Sequence, residues 1–214
     1  PPQKTAIGRL SRAVHLLEQF PFPADLSGVP EQTFSYLAPE MNFFRRMALA
    51  NTWLTGGLLV QQLEQKASTN ALIRTTLAPT IIHGGFKDNV LPDEAVATVN
   101  ARIRPGESIE STLQNIIATV DDPLVEVSLS QSSQHTEPPG ISSATSLGFN
   151  VVQKTAKSIW PESVVAPSLL VATTDSRYYT HLTEQTFRFL PVQLGQEDLK
   201  MIHGVNEKMA LEDY

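Results

Sequence analysis

The sequence contains no cysteine among its 214 residues. That excludes disulfides, thiolate nucleophiles and cysteine-type zinc sites. It also lacks any block of lysine and arginine: sixteen basic residues stand against twenty-two acidic ones, for a net charge of −6. Nucleic acid and anionic membranes are therefore not expected partners, because phosphate contacts need clustered cations. No apolar run approaches the ~20 residues of a membrane helix, and no signal-peptide pattern opens the chain. A soluble protein is expected, and the compartment stays open because a trimmed chain would read the same way. Charged residues make up only 18% of the chain, but 41% hydrophobic content is too much for disorder. A chain of this length can bury a core and falls between one large domain and two small ones. An initiator methionine and a leading strand are missing too, so the reading is a fragment of something longer.

Pro1-Pro2 runs straight into a helical pattern with Ile7, Leu10, Val14 and Leu17 on one stripe and Thr5 at the N-cap. Pro21, Pro23 and Pro30 break it. A stretch at about 33–66 then carries Phe43, Phe44, Met47, Trp53, Leu54, Leu58, Leu59 and Leu63, which predict one or two short, heavily apolar helices. They either pack on their own domain or form an apolar wall or lid for a greasy substrate. From Leu72 to His83 a β-branched run reads as a strand, interrupted at Pro79 as at an edge or a bulge. After the Gly84-Gly85 turn, Ala95 to Arg104 alternates. Ala95, Ala97, Val99, Ala101 and Ile103 share a face small enough for a helix to lie close, and Asn100, Arg102 and Arg104 form a polar row on the other. Ser108 caps a helix with Ile109, Leu113, Ile116, Ile117 and Val120 on one side, and Val125, Val127 and Leu129 alternate as a further strand. Helix, strand, strand, helix, strand predicts an antiparallel α+β sandwich with helices on one face.

The stretch 131–146 is rich in Ser, Pro and Gly and reads as a domain linker. Beyond it a helix (Leu147 to Trp160), an apolar strand (Val164 to Val171), a polar loop, a strand (Phe187 to Leu190) and a helix beginning near His203 suggest α/β architecture too short to close its own sheet. Arg102 on a sheet face and Arg177 in a loop after an apolar strand have the planar fork that grips carboxylates, and strand ends are where α/β sheets place ligands. A surface salt bridge is the alternative for each. His203, before a glycine at a loop-to-helix junction, is a metal ligand or a structural histidine.

Thr80-Ile81-Ile82-His83-Gly84-Gly85, Asn89-Val90-Leu91-Pro92-Asp93 and the run from Ala97 to Pro105 closely resemble the dimerisation (lid) domain of the co-catalytic zinc aminoacylase/carboxypeptidase family. Thr174-Asp175-Ser176-Arg177-Tyr178-Tyr179, Phe187-Arg188-Phe189 and His203-Gly204-Val205-Asn206-Glu207-Lys208 resemble that family's C-terminal catalytic segment. The opening Pro-Pro and the long apolar insert resemble the carboxypeptidase S-like branch, which includes N-acyl-amino-acid hydrolases. The resemblance implies a lid domain at 1–132, with the insert at 33–66, and an incomplete α/β segment of the zinc catalytic domain at 133–214. It implies that Asn89 reaches the partner subunit's active site and helps hold the scissile carbonyl oxygen. Arg177 would bind the substrate's free carboxylate, Arg102 would contact substrate, and His203 would be the last zinc ligand. It further implies a homodimer through the lid, with a small peptide or N-acyl amino acid as substrate.

The rest of the family's zinc machinery is not in the sequence, which has no His-x-Asp and no Glu-Glu; His135-Thr136-Glu137, the nearest imitation, falls in the linker. One histidine cannot hold a catalytic zinc that takes three protein ligands. The expectation is part of a di-zinc hydrolase that cleaves an amide bond beside a free carboxylate, with a zinc-bridging hydroxide as attacking group in the intact enzyme. This chain alone is then expected to bind no zinc and to be inactive. The alternative is a non-catalytic dimerisation or interaction module that keeps the sheet.

Overall fold

The structure, a computed structural model, describes residues 4–131, 135–172, 174–195, 198, 201–202, 204–205 and 207–208. Helix α1 (Ala6–Gln19) starts where Thr5 accepts the Gly8 N–H, so the predicted cap is the observed one. Its apolar stripe places Ala13 and Leu17 in a core with Val120, Leu77, Val99, Ile116 and Val125. Helices α2 (Val29–Leu37), α3 (Phe43–Ala50), α4 (Thr52–Glu64) and α5 (Ala67–Ile73) follow. Strands β1 (Thr76–Gly84) and β2 (Ala95–Arg102) pair antiparallel, and a register shift lies between Pro79 and Ile81. Proline has no N–H for the ladder, so the expected interruption takes the form of a bulge. Gly84 admits α1: a Cβ there would lie 3.0 Å from Ile7 Cγ1 and 3.2 Å from Ala95 Cβ. Helix α6 (Ile109–Val120) begins at a capping box in which Ser108 and Ser111 exchange side-chain-to-backbone bonds. Helix α7 (Leu147–Ile159) is capped by Ser146.

The α+β class therefore holds, with α1 packed on both strands and α6 on α1. Several expected strands do not form. Leu72 and Ile73 belong to α5 and not to a strand, since Ile73 closes that helix fully buried, at 0% exposure. The 125–129, 164–171 and 187–190 stretches carry strand-like patterns but no ladder; the sheet of the described residues has two strands. Alternation states which side chains turn inward, and a strand also needs a neighbour to bond. Val125 still reaches the core without one. The linker stretch is partly tied down, because Glu137 accepts the Ile109 N–H at the start of α6, 3.0 Å away.

The insert joins the sheet through a polar knot. Asp25 accepts from Ser27 N and Ser27 Oγ (2.8 Å each) and from Arg104 Nη1 at 2.7 Å. Partial burial alone would raise its carboxyl pKa, but these donors outweigh it and hold the group below the ordinary value. A carboxylate with a depressed folded pKa stabilises the fold above its unfolded pKa, near 3.8, and loses that contribution as pH falls through the folded value. Asp25→Asn is expected to destabilise the protein by about 1 kcal/mol at pH 7, as loss of charge-assisted hydrogen bonds predicts. In urea unfolding, the gap between wild type and variant should close as pH falls below about 4; a gap independent of pH would count against this account.

Candidate functional site

The site is built around the turn Asp175–Tyr179, a short 3-10 helix without a buried residue. Arg177 is exposed on it. Its backbone N–H reaches Thr174 O at 3.3 Å, and its carbonyl accepts from Thr180 Oγ1 at 3.0 Å. The guanidinium donates through Nη2 to the Tyr178 hydroxyl at 2.6 Å, and its Cζ lies 4.7 Å from that ring's centroid. Among the described residues the salt bridges join Arg9 to Asp122, Arg74 to Glu64 and Arg104 to Asp25. Neither Arg177 nor Arg102 finds a carboxylate there, so the salt-bridge alternative has no partner among those residues.

Arg102, the last residue of β2, donates through Nη1 to Val171 O at 2.8 Å. The strand end and the approach to the Arg177 turn are thereby joined, which 69 residues of intervening chain hide from the sequence. Asn89 is exposed in the loop between β1 and β2, at the opposite end of the sheet. Eight residues of β2, at ~3.3 Å per step, put about 23 Å between that end and Arg102. Arg102 is thus bonded to the segment that leads into the Arg177 turn, and Asn89 lies at the other end of the sheet. His203 lies outside the described residues. Among the described residues no three His, Asp or Glu side chains come together as a metal site, so the donors present there do not fit a zinc site.

Sequence reasoning missed Arg188. Its Nε donates to Ser176 Oγ at 2.7 Å and to Thr174 Oγ1 at 3.1 Å, and the two hydroxyls lie 2.6 Å from each other. Phe187 beside it leans on α7, 6.0 Å between ring centroids from Phe149. Gly148 makes room, since a Cβ there would sit 2.8 Å from Phe187 Cε2. Phe187-Arg188-Phe189 stands out in the sequence, but only its long-range partners give the arginine a role. Arg188 and Thr180 also line an open cavity of about 370 Å³ with Ile141, Ser142, Thr183 and Gln185.

The insert divides in two. Helix α2 is packed: Thr33 Oγ1 donates to Pro167 O at 2.7 Å, and Tyr36 meets Phe149 edge-on at 5.8 Å. Helices α3 and α4 have no buried residue. Phe43, Phe44, Trp53, Leu54 and Leu58 are 69–83% exposed, while Leu59, Val60 and Leu63 on the other face of α4 are half-buried and α4 packs on α5. The two helices pack on their own domain by one face and leave the other bare. No helix of the described residues is long and apolar enough to cross a membrane.

Residues 1–128 match the profile of the peptidase dimerisation domain of M20 enzymes. The chain is 37% identical over 216 residues to the mouse (Mus musculus) N-fatty-acyl-amino acid synthase/hydrolase PM20D1, covering 100% of the chain and 43% of the relative. It is 39% identical to the Xenopus tropicalis protein of the same name, over 99% of the chain and 41% of that relative. It is 37% identical to a Dictyostelium discoideum protein named probable carboxypeptidase S-like 2, over 100% and 41% respectively. The chain thus spans about two-fifths of the length of the relatives it matches. No solved structure matches it. With the lid motifs on a strand pair and its connecting loop, and with the profile and relatives matched over this length, this chain belongs to the M20 peptidase family, in its carboxypeptidase S-like and N-acyl-amino-acid hydrolase branch.

Proposed function

We propose that the intact protein hydrolyses an amide bond next to a free carboxylate, and that Arg177 is the group that grips the carboxylate. The observation that carries this reading is a guanidinium held at Tyr178 by its ring and hydroxyl, in the family's own motif, with no acidic partner among the described residues. A planar fork left uncompensated is suited to a bidentate carboxylate. Arg102 spends Nη1 on Val171 O and keeps further N–H donors on its guanidinium, so it can face the same substrate while it joins strand to turn. The family's zinc would polarise the scissile carbonyl, and its ligands, beyond His203, would come from the rest of the polypeptide. Arg177→Ala in the full-length enzyme should lower kcat/KM for a free-carboxylate substrate by ~2 kcal/mol or more. Arg177→Lys should not restore it, because a point charge cannot reproduce the fork. Unchanged kcat/KM would refute the assignment.

Within this reading, N-acyl amino acids are favoured over peptides. The two relatives named for N-fatty-acyl-amino acids support this, as does the bare apolar surface of α3 and α4. Such a surface suits an acyl chain, since each buried CH₂ is worth ~0.8 kcal/mol. Trp53→Ser with Leu58→Ser should then raise KM steeply for a long-chain N-acyl substrate and hardly at all for its N-acetyl analogue. Equal effects on the two would remove the acyl wall from the proposal.

The placement of Asn89 at the end of the sheet opposite Arg102 supports a homodimer in which Asn89 serves the partner's site, as an amide donor to the developing oxyanion. Full-length Asn89→Ala and full-length Arg177→Ala proteins should each be weak, and mixing them should restore part of the activity. The hybrid dimer holds one complete site, with Arg177 from one subunit and Asn89 from the other. No recovery despite demonstrated subunit exchange would show that Asn89 does not act across the interface.

A further inference from the structure

The turn that carries Arg177 buries no residue, so packing does not fix its shape. Polar bonds do, and they meet at Arg188. An arginine can only donate, so its Nε–H feeds both Ser176 Oγ and Thr174 Oγ1, and one of those hydroxyls donates to the other. Thr174 and Ser176 flank Asp175 and immediately precede Arg177, so this triangle sets the backbone that leads into it. The other end of the connection is firm. Phe187 is seated over Gly148 and against Phe149, which is buried. A rigid path therefore runs from α7 through Phe187 and Arg188 to the hydroxyl pair, and from there to Arg177. We propose that Arg188 is a positioning residue that sets where Arg177 presents its guanidinium, and thereby sets selectivity for a free carboxylate. This rests on the reading of Arg177 as the carboxylate anchor.

The test compares an N-acyl amino acid with its C-terminal carboxamide on the full-length enzyme. Arg188→Ala should lower kcat/KM for the carboxylate about tenfold, mainly through KM, as misplacement of a binding group by a fraction of an ångström predicts. The carboxamide should be turned over nearly as well as by wild type. Arg188→Lys should not rescue, because a lone ammonium does not reproduce a fixed guanidinium edge between two hydroxyls. Arg177→Ala should abolish the preference for carboxylate, and adding Arg188→Ala to it should change that preference no further, as expected of groups acting as one unit. Equal losses on both substrates would make Arg188 a merely structural residue and overturn the proposal, as would wild-type kinetics. If Arg188→Ala does not fold, Ser176→Ala removes a single hydroxyl and is expected to show the same selective loss; its absence would equally overturn the proposal. A carboxylate preference that survives Arg177→Ala overturns the anchor reading itself, and the role of Arg188 with it. If Arg177→Ala loses the preference and Arg188→Ala keeps it, the anchor stands and this proposal alone falls.

Discussion

Three consecutive residues where α5 passes into β1 hold the structure together. Ile73, Arg74 and Thr75 are 0%, 6% and 1% exposed, in a chain whose long loops are mostly open to solvent. Burying three successive backbone units requires that their polar groups be paired. Ile73 O accepts the Asp25 N–H at 2.8 Å, Thr75 Oγ1 accepts Arg104 N at 2.8 Å, and the same hydroxyl donates to Glu107 at 2.7 Å. The Arg74 guanidinium meets Glu64. The threonine hydroxyl is used as donor and acceptor at once. Valine, its near-isostere, would fill the space and leave buried groups without partners.

This junction fixes where the end of β2 goes. It ties the chain before the insert, through Asp25, to the end of β2, through Arg104, so the insert leaves and returns at one corner of the sheet. The residue two positions before Arg104 is Arg102, which reaches across to Val171. The same corner that closes the core thus delivers a strand end to the approach of the Arg177 turn. The opposite end of the sheet packs the start of α1 against Gly84 and carries the mostly exposed 85–94 loop with Asn89, with no comparable polar knot among the described residues. One end of the sheet is built to hold part of the same chain, and the loop at the other projects into solvent.

Local chemistry was legible in the sequence and long-range pairing was not. Thr5 and Ser108 announce their helices because a cap needs only neighbours three residues away. Pro79 announces a bulge because its missing N–H is intrinsic. The inward face of β2 follows from alternation, and Val99 lies in the core as that face requires. The patterns at 125–129, 164–171 and 187–190 are as good as that of β2, yet they have no ladder, because a ladder is a property of two segments. Arg188 fails for the same reason: its hydroxyl partners lie 12 and 14 residues away. The exposure of α3 and α4 was open from composition, since an apolar face states what it would bury and not whether anything covers it.

The use of charge separates the building of the fold from the binding surface it offers. The chain carries twenty-two acidic residues against sixteen basic ones, so an arginine would meet a carboxylate easily if position were indifferent. The three ion pairs described all lie where elements join: Arg9 of α1 with Asp122 after α6, Arg74 with Glu64, and Arg104 with Asp25. Arg102, Arg177 and Arg188 instead bond to a carbonyl, a phenol and two aliphatic hydroxyls. Neutral acceptors fix a guanidinium in place without cancelling its charge, so each of these arginines keeps an oriented, uncompensated cation among the described residues. A guanidinium held by neutral acceptors keeps its full charge for an incoming carboxylate, with which it can form charge-assisted hydrogen bonds. In the reading proposed above, Arg177 spends that charge on the carboxylate and Arg188 orients it without touching the anion.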